Sequence, residues 1–249
     1  PIMQRYKAEE PVAIFSLEMP AEQLVQRVIC SMGGIEGSSM RTGEILKTNA
    51  NKYYAAAERV SKCNMYIDDS PGIKINDIVA KSRKLKSEHG LRMIVIDYLQ
   101  LITTASKNKE NRQQEVSEIS RTLKALAREL EVPVISLSQL SRSVEQRPNK
   151  RPMMSDLRES GAIEQDADIV SFIYREDYYK DPGEESEDNG LTEIIIAKHR
   201  NGATGEVNLA FEKNYSRFSD LAQNGVQTEQ VKACVILEVK EELDVSSIP

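Results

Sequence analysis

The chain has 249 residues, 40% of them hydrophobic, with no Trp and 4 Phe, enough for one large α/β domain with a full core. Its formal net charge of −6 excludes a global attraction for nucleic acid, so any DNA contact must use a local basic patch. Cys30, Cys63 and Cys234 lie too far apart for a zinc site or a disulfide framework, which fits a reducing cytosol. No signal peptide is visible, and no apolar run is long enough to cross a bilayer. Residue 1 is Pro, not Met, so the chain reads as a fragment or as ordered residues alone.

Residues 1–10 are polar and without pattern. Residues 11–18 read as a buried strand ending in the acid Glu18. Pro20 suits the first turn of a helix, Leu24, Val25, Val28 and Ile29 give it one apolar face, and Gly33-Gly34 ends it. Glu18 therefore falls at a strand-to-helix junction. An acid there is either favoured by the helix N-terminus or placed as a general base that orients a water.

Residues 50–62 have helical character, residues 65–67 form a short strand, and Asp68-Asp-Ser-Pro-Gly72 is a turn. Ile75, Ile78, Val79 and Leu85 mark a helix with Lys81, Arg83, Lys84 and Lys86 on a solvated face, stopped by Gly90. Ile94-Val-Ile96 is apolar at every position and β-branched, as expected of a strand buried on both faces. The run stops at Asp97. Ligands of open α/β sheets gather outside the carboxyl ends of the strands. Asp97 either caps its strand or holds a hydrated Mg²⁺ beside a nucleotide phosphate.

Residues 103–114 read as a polar loop with Lys107, Lys109 and Arg112. Val116, Ile119, Leu123, Leu126 and Leu130 then recur at helical spacing. Residues 132–138 are the next buried strand, and Gln139 stands past its end, where its amide senses a phosphate or attacking water, or caps a turn. Residues 141–161 gather Arg142, Arg147, Lys150, Arg151 and Arg158 among prolines, a basic functional loop or short helices. Gly161 allows close backbone approach.

Residues 167–174 are a strand, and residues 175–190 an acidic insertion. Residues 191–197 form a strand running into Lys198-His-Arg-Asn-Gly202, and residues 205–211 return as its hairpin partner. Lys198 and Arg200 at this tip are either solvated or reach a phosphate in a neighbouring subunit. His199 has no carboxylate or second His near it in sequence and is not read as a ligand. Residues 212–223 are a polar edge, and residues 231–239 alternate as an edge strand would. Strand-helix alternation through residue 174 with a closing hairpin predicts a mostly parallel sheet covered by helices.

Six blocks carry a resemblance: Ile14-Phe-Ser-Leu-Glu-Met19, Val95-Ile-Asp-Tyr-Leu-Gln-Leu101, Leu137-Ser-Gln-Leu140, Ser155-Asp-Leu-Arg-Glu-Ser-Gly161, Glu164-Gln-Asp-Ala-Asp168 and Lys198-His-Arg-Asn-Gly202. In this order they closely resemble the family of C-terminal motor domains of bacterial replicative DnaB helicases, from about Pro11 to Leu221. The resemblance implies a RecA-like twisted sheet flanked by helices, with a C-terminal β-hairpin, over residues 1–223; residues 224–249 match no part of it. It implies that Glu18 is the catalytic base and Asp97 the acid associated with Mg²⁺ through water. Gln139 would couple nucleotide state to DNA, and Arg158, Glu159 and Gly161 would lie in the loop that tracks single-stranded DNA. Lys198 and Arg200 would reach the γ-phosphate of ATP bound by the neighbouring subunit. A homo-oligomer, a hexameric ring, is implied too, with primase and a helicase loader as partners.

One departure is large. The family carries a phosphate-binding loop, G-x-x-x-x-G-K-[ST], before the Glu18 strand. These 249 residues contain none, and Lys7 has no glycine loop before it. The first motor strand and the N-terminal helical domain are missing as well. Omission from the chain is the favoured reading, because everything downstream is intact. The alternative is a non-hydrolysing RecA-like ring or DNA-binding subunit. A RecA-like recombination or circadian-type ATPase is disfavoured by the block 155–161.

Overall fold

The computed structural model describes residues 10–42, 49–104, 112–157, 161–176 and 190–221. The first half builds a parallel sheet. Strand β1 (Val12–Ser16) leads through helices α1 (Ala21–Gly33), α2 (Gly37–Thr42) and α3 (Ala50–Ser61) to β2 (Met65–Asp68). Helix α4 (Ile75–His89) leads to β3 (Met93–Asp97), and α5 (Arg112–Leu130) to β4 (Val134–Ser136). The strand order is β2-β1-β3-β4, and every pairing is parallel.

One face of this sheet is sealed by α4 and α5. Ala13, Phe15, Ile94 and Ile96 pack with Ile75 and Ile78 of α4 and with Val116, Ile119, Leu123 and Leu126 of α5. The α5 residues repeat at three- and four-residue steps, which keeps them on the side turned to the sheet. On the other face Val12, Met93 and Ile135 are buried, but Ile14 and Val95 are half-buried. The expected burial on both faces is thus complete on one face only among the described residues. Helix α1 packs on α3 through Ile29, Ala56 and Val60. Gly34 and Gly90 end α1 and α4 in the left-handed conformation, their N–H groups returning to Cys30 and Lys86 carbonyls.

Two local expectations shift. Pro20 stands at the N-cap of α1, one position before its first turn. Arg112 opens α5 instead of lying in the preceding loop.

The basic stretch contains short helices: α6 (Ser143–Gln146), a 3₁₀ turn at Met154–Asp156 and α7 (Gly161–Asp166). Four antiparallel strands follow, β5 (Ile169–Tyr174), β6 (Leu191–His199), β7 (Gly205–Glu212) and β8 (Arg217–Asp220). They form a second sheet in the order β5-β6-β7-β8. Strand β5, expected to extend the parallel sheet, instead pairs antiparallel with β6. The polar edge at 212–223 contains β8, paired to β7. The acidic insertion and the alternating tail lie largely or wholly outside the described residues.

Candidate functional site

The strand order places a crevice. From β1 the chain moves to β2 on one side, and from β3 it moves to β4 on the other. The neighbours β1 and β3 therefore flank the point where connections diverge, and open α/β sheets bind ligands outside the carboxyl ends there. Ser16 and Asp97 are register partners at those ends, and the Leu17 N–H donates to the Asp97 carbonyl at 2.7 Å. Glu18 follows one residue later and is exposed.

Asp97 is half-buried, and the pKa of its carboxyl is raised from its ordinary value. Burial is the main cause, the nearby Glu18 carboxylate adds to it, and Arg27 of α1 opposes it. The two acids are thus close enough to repel. At the start of α1 the Ala21 N–H donates at 2.8 Å to Asp69, just past β2.

A hard divalent cation fits this pair. Mg²⁺ binds through one or two carboxylates and keeps several waters, so it needs no protein cage. Among the described residues no three His, Cys, Asp or Glu side chains gather into one. A cation would also relieve the repulsion between Asp97 and Glu18.

Gln139 is exposed, three residues past β4, and its main chain is held by Gln100. The Gln100 carbonyl in turn accepts from Arg112 Nη2 at 2.6 Å, and Arg112 pairs with Glu115. The loops carrying Asp97 and Gln139 are therefore tied to each other and to the start of α5. Gln100 lies inside one of the six sequence blocks, but its amide had no assigned role there. Asp69 was hidden in a turn signal.

The basic segment is less free than its composition suggests. Arg147 pairs with the buried Asp156 at 2.6 Å. Arg151 pairs with Glu193 of β6 and Glu206 of β7 and lies over the Tyr174 ring. Arg158 and Glu159 lie outside the described residues. Gly161 opens α7, and among the described residues nothing lies within reach of a Cβ placed there.

Lys198 and Arg200 lie together near the β6–β7 turn, and both side chains reach the Gln165 carbonyl. Lys198 lies within β6, and its ammonium donates to the carbonyls of Glu164, Gln165 and Ala167 at the end of α7. Burial first, then Arg200, pushes its pKa down. Arg200 follows the strand, and its guanidinium folds back to the Gln165 carbonyl and to Asp168. This docking leaves the Arg200 side chain 43% exposed. The cause of the docking is the antiparallel β5–β6 ladder, which sets the end of β6 against the chain between α7 and β5.

A family model described as DnaB-like helicase C terminal domain matches residues 2–220. Over 215 residues the chain is 61% identical to replicative DNA helicase DnaB of Geobacillus stearothermophilus, covering 86% of this chain and 47% of that protein. It is 59% identical to replicative DNA helicase DnaC of Bacillus subtilis, with the same 86% and 47% coverage. The chain thus spans about half the length of the curated relatives it matches. Among solved structures, a DnaB-like replicative helicase described with its interactions with primase superposes with a TM-score of 0.80 at 45% identity. That match covers 86% of this chain and 51% of the other. A second solved structure, described as an ATPase domain, gives a TM-score of 0.79 at 45% identity, covering 86% of this chain and 75% of the other. With family model, relatives and fold in agreement, the chain belongs to the DnaB-like helicase C-terminal domain family.

Proposed function

We propose that this chain is the motor portion of an ATP-dependent replicative DNA helicase. The observation that carries the reading is the Glu18–Asp97 pair at the diverging carboxyl ends of β1 and β3. In this role Asp97 would hold a hydrated Mg²⁺, and the ion would supply positive charge beside the transferring phosphoryl group. Glu18, exposed and close enough to Asp97 to repel it, orients and deprotonates the attacking water. Gln139 reports nucleotide state, and Gln100 fixes the main chain from which it does so.

The remaining assignments follow the family. Arg200 and Lys198 act on the nucleotide of the neighbouring subunit in a hexameric ring. Arg158, Glu159 and Gly161 follow the backbone of single-stranded DNA. ATP and Mg²⁺ are the cofactors, and primase and a loader are partners of the whole protein. Hydrolysis needs a G-x-x-x-x-G-K-[ST] loop, so the reading is tested on the full-length gene product.

Glu18→Gln in that protein is expected to cut ATP hydrolysis by about 10²-fold or more while nucleotide binding persists. Steady-state hydrolysis above about a tenth of wild type would reject Glu18 as the base. For DNA, Arg158→Ala is expected to weaken poly-dT and mixed-sequence binding alike. It should flatten the log-affinity against log-salt slope by roughly 0.7. An unchanged slope removes Arg158 from the DNA path.

A further inference from the structure

Between α7 and β5 lies a carboxylate that the motor reading leaves unused. The β5–β6 ladder pairs Ile169 with His199, so Asp168 and Arg200 lie side by side one step beyond it. The Arg200 N–H donates to the Asp168 carbonyl at 2.8 Å. Its guanidinium Nη1 lies 3.2 Å from Asp168 Oδ1, and Nη2 donates to the Gln165 carbonyl at 2.9 Å. The other carboxylate oxygen, Oδ2, pairs with Lys124 of α5. Asp168 and Lys124 are each only 14% exposed.

This arrangement holds one side of a cation and leaves the other open. A guanidinium has five N–H donors in a fixed fork, and two contacts do not exhaust them. An arginine beside a turn, left to itself, samples many rotamers, and ordering it at the moment of reaction carries an entropic cost. Asp168 removes that freedom beforehand. It does so from a firm base, because Lys124 belongs to the helix that seals the parallel sheet behind Asp97. Arg200 is thereby joined to the core of its own subunit and is not carried by the hairpin alone.

We infer that Asp168 is a positioning residue for Arg200, setting the guanidinium in the orientation that the neighbouring subunit's phosphate requires. The inference rests on the proposed trans role of Arg200. The bland alternative is that Asp168 only neutralises the buried Lys124.

The test uses full-length rings. Asp168→Asn keeps the shape and removes the charge. It is expected to lower kcat by about 10²-fold, the loss typical of a small misplacement, with KM for ATP little changed. Mixed rings then locate the defect. Asp168→Asn subunits mixed with Glu18→Gln subunits should recover activity, as Arg200→Ala subunits with Glu18→Gln subunits should. Asp168→Asn mixed with Arg200→Ala should recover none, because both lack a working finger. If ring coordination suppresses all rescue, the Arg200→Lys background decides: there Asp168→Asn must cost far less than it does alone.

Because Asp168→Asn also removes a charge partner of the 14% exposed Lys124, Lys124→Met/Asp168→Asn is the companion variant. It should regain melting temperature but not kcat. Recovery of kcat together with stability would overturn the inference, as would full activity of Asp168→Asn in rings that Arg200→Ala inactivates. If Arg200→Ala is itself fully active, the trans reading fails first, and the positioning role falls with it.

Discussion

The Gln100 side chain closes on the main chain of Gln139, accepting its N–H at 3.2 Å and donating to its carbonyl at 3.2 Å. A third contact runs from Gln100 Nε2 to Ser138 Oγ at 2.9 Å. One amide thus locks the loop after β4 to the loop after β3. Gln100→Ala is expected to cost about 1–2 kcal/mol of unfolding free energy, the range for a few partly exposed hydrogen bonds. It should also reduce the DNA-stimulated component of hydrolysis, because Gln139 loses its fixed base. Gln100→Glu keeps the acceptor for the Gln139 N–H and can accept from the Ser138 hydroxyl, but it turns a carboxylate oxygen on the Gln139 carbonyl, so it should not restore wild-type stability. Equal urea midpoints for all three proteins would show that the clamp has no energetic weight.

Asp97 makes stability depend on pH in an unusual direction. Burial and the Glu18 carboxylate raise its folded-state pKa, so the folded chain binds this proton more tightly than the unfolded one. Its contribution is full below the unfolded carboxylate range and is lost as pH rises through the raised value. At neutral pH the ionised Asp97 therefore costs stability. Asp97→Asn, which cannot ionise, should be more stable than wild type at pH 7 in Mg²⁺-free buffer. The margin should shrink as pH falls through the raised value, below which the wild-type carboxyl is protonated too. Urea unfolding across that range is the measurement, and a variant less stable than wild type at pH 7 would refute the argument.

The parallel sheet was legible because its signals are local. Uniform apolar runs at 12–15 and 93–96 and the helical spacing of Val116, Ile119 and Leu123 state which atoms must leave water. Glu18 and Asp97 were legible for the same reason, standing where those runs stop. What the pattern cannot state is the pairing of strands distant in sequence. Residues 167–174 are apolar enough for either sheet, and only the long-range ladder to β6 decides for the second. The fates of Lys198 and Arg200 depend on that ladder, so their docking on α7 and Asp168 was invisible in a hairpin signature. Composition misled in the basic stretch as well, where Arg147 and Arg151 spend their charges on Asp156, Glu193 and Glu206.

Asp156 should behave as the staple of that stretch. It is 3% exposed, and its Oδ2 accepts from Arg147 Nη2 at 2.6 Å and from the Met153 N–H at 2.8 Å. Its carbonyl accepts the Ser141 N–H at 2.8 Å. Asp156→Ala leaves a cation and a backbone donor without their acceptor, an expected loss of about 2 kcal/mol or more. Arg151→Ala acts on a more exposed pair network and should cost less, about 1 kcal/mol or below. Denaturant melts that rank the two variants the other way would show that the segment is held by Arg151 instead.

Lys198 has a structural task beside the role proposed for it. A lysine ammonium has three protons, and three carbonyls at the end of α7 receive them, those of Glu164, Gln165 and Ala167. A helix end leaves such carbonyls without intrahelical partners, and a cation there also complements the helix dipole. Lys198→Met keeps most of the aliphatic stem and removes all three donors. Glu164 and Gln165 are exposed, so water recovers part of the loss. The expected cost is accordingly near the low end of the usual range, about 1 kcal/mol. Lys198→Arg should not restore it, because a planar fork cannot converge on three carbonyls as a compact ammonium does. The nucleotide-free protein separates this task from phosphate binding, since no phosphate is present to contact. A urea midpoint unchanged by Lys198→Met would reject the capping role. A lowered midpoint together with lost hydrolysis would mean that one ammonium serves both, and that meeting a phosphate requires it to release the end of α7.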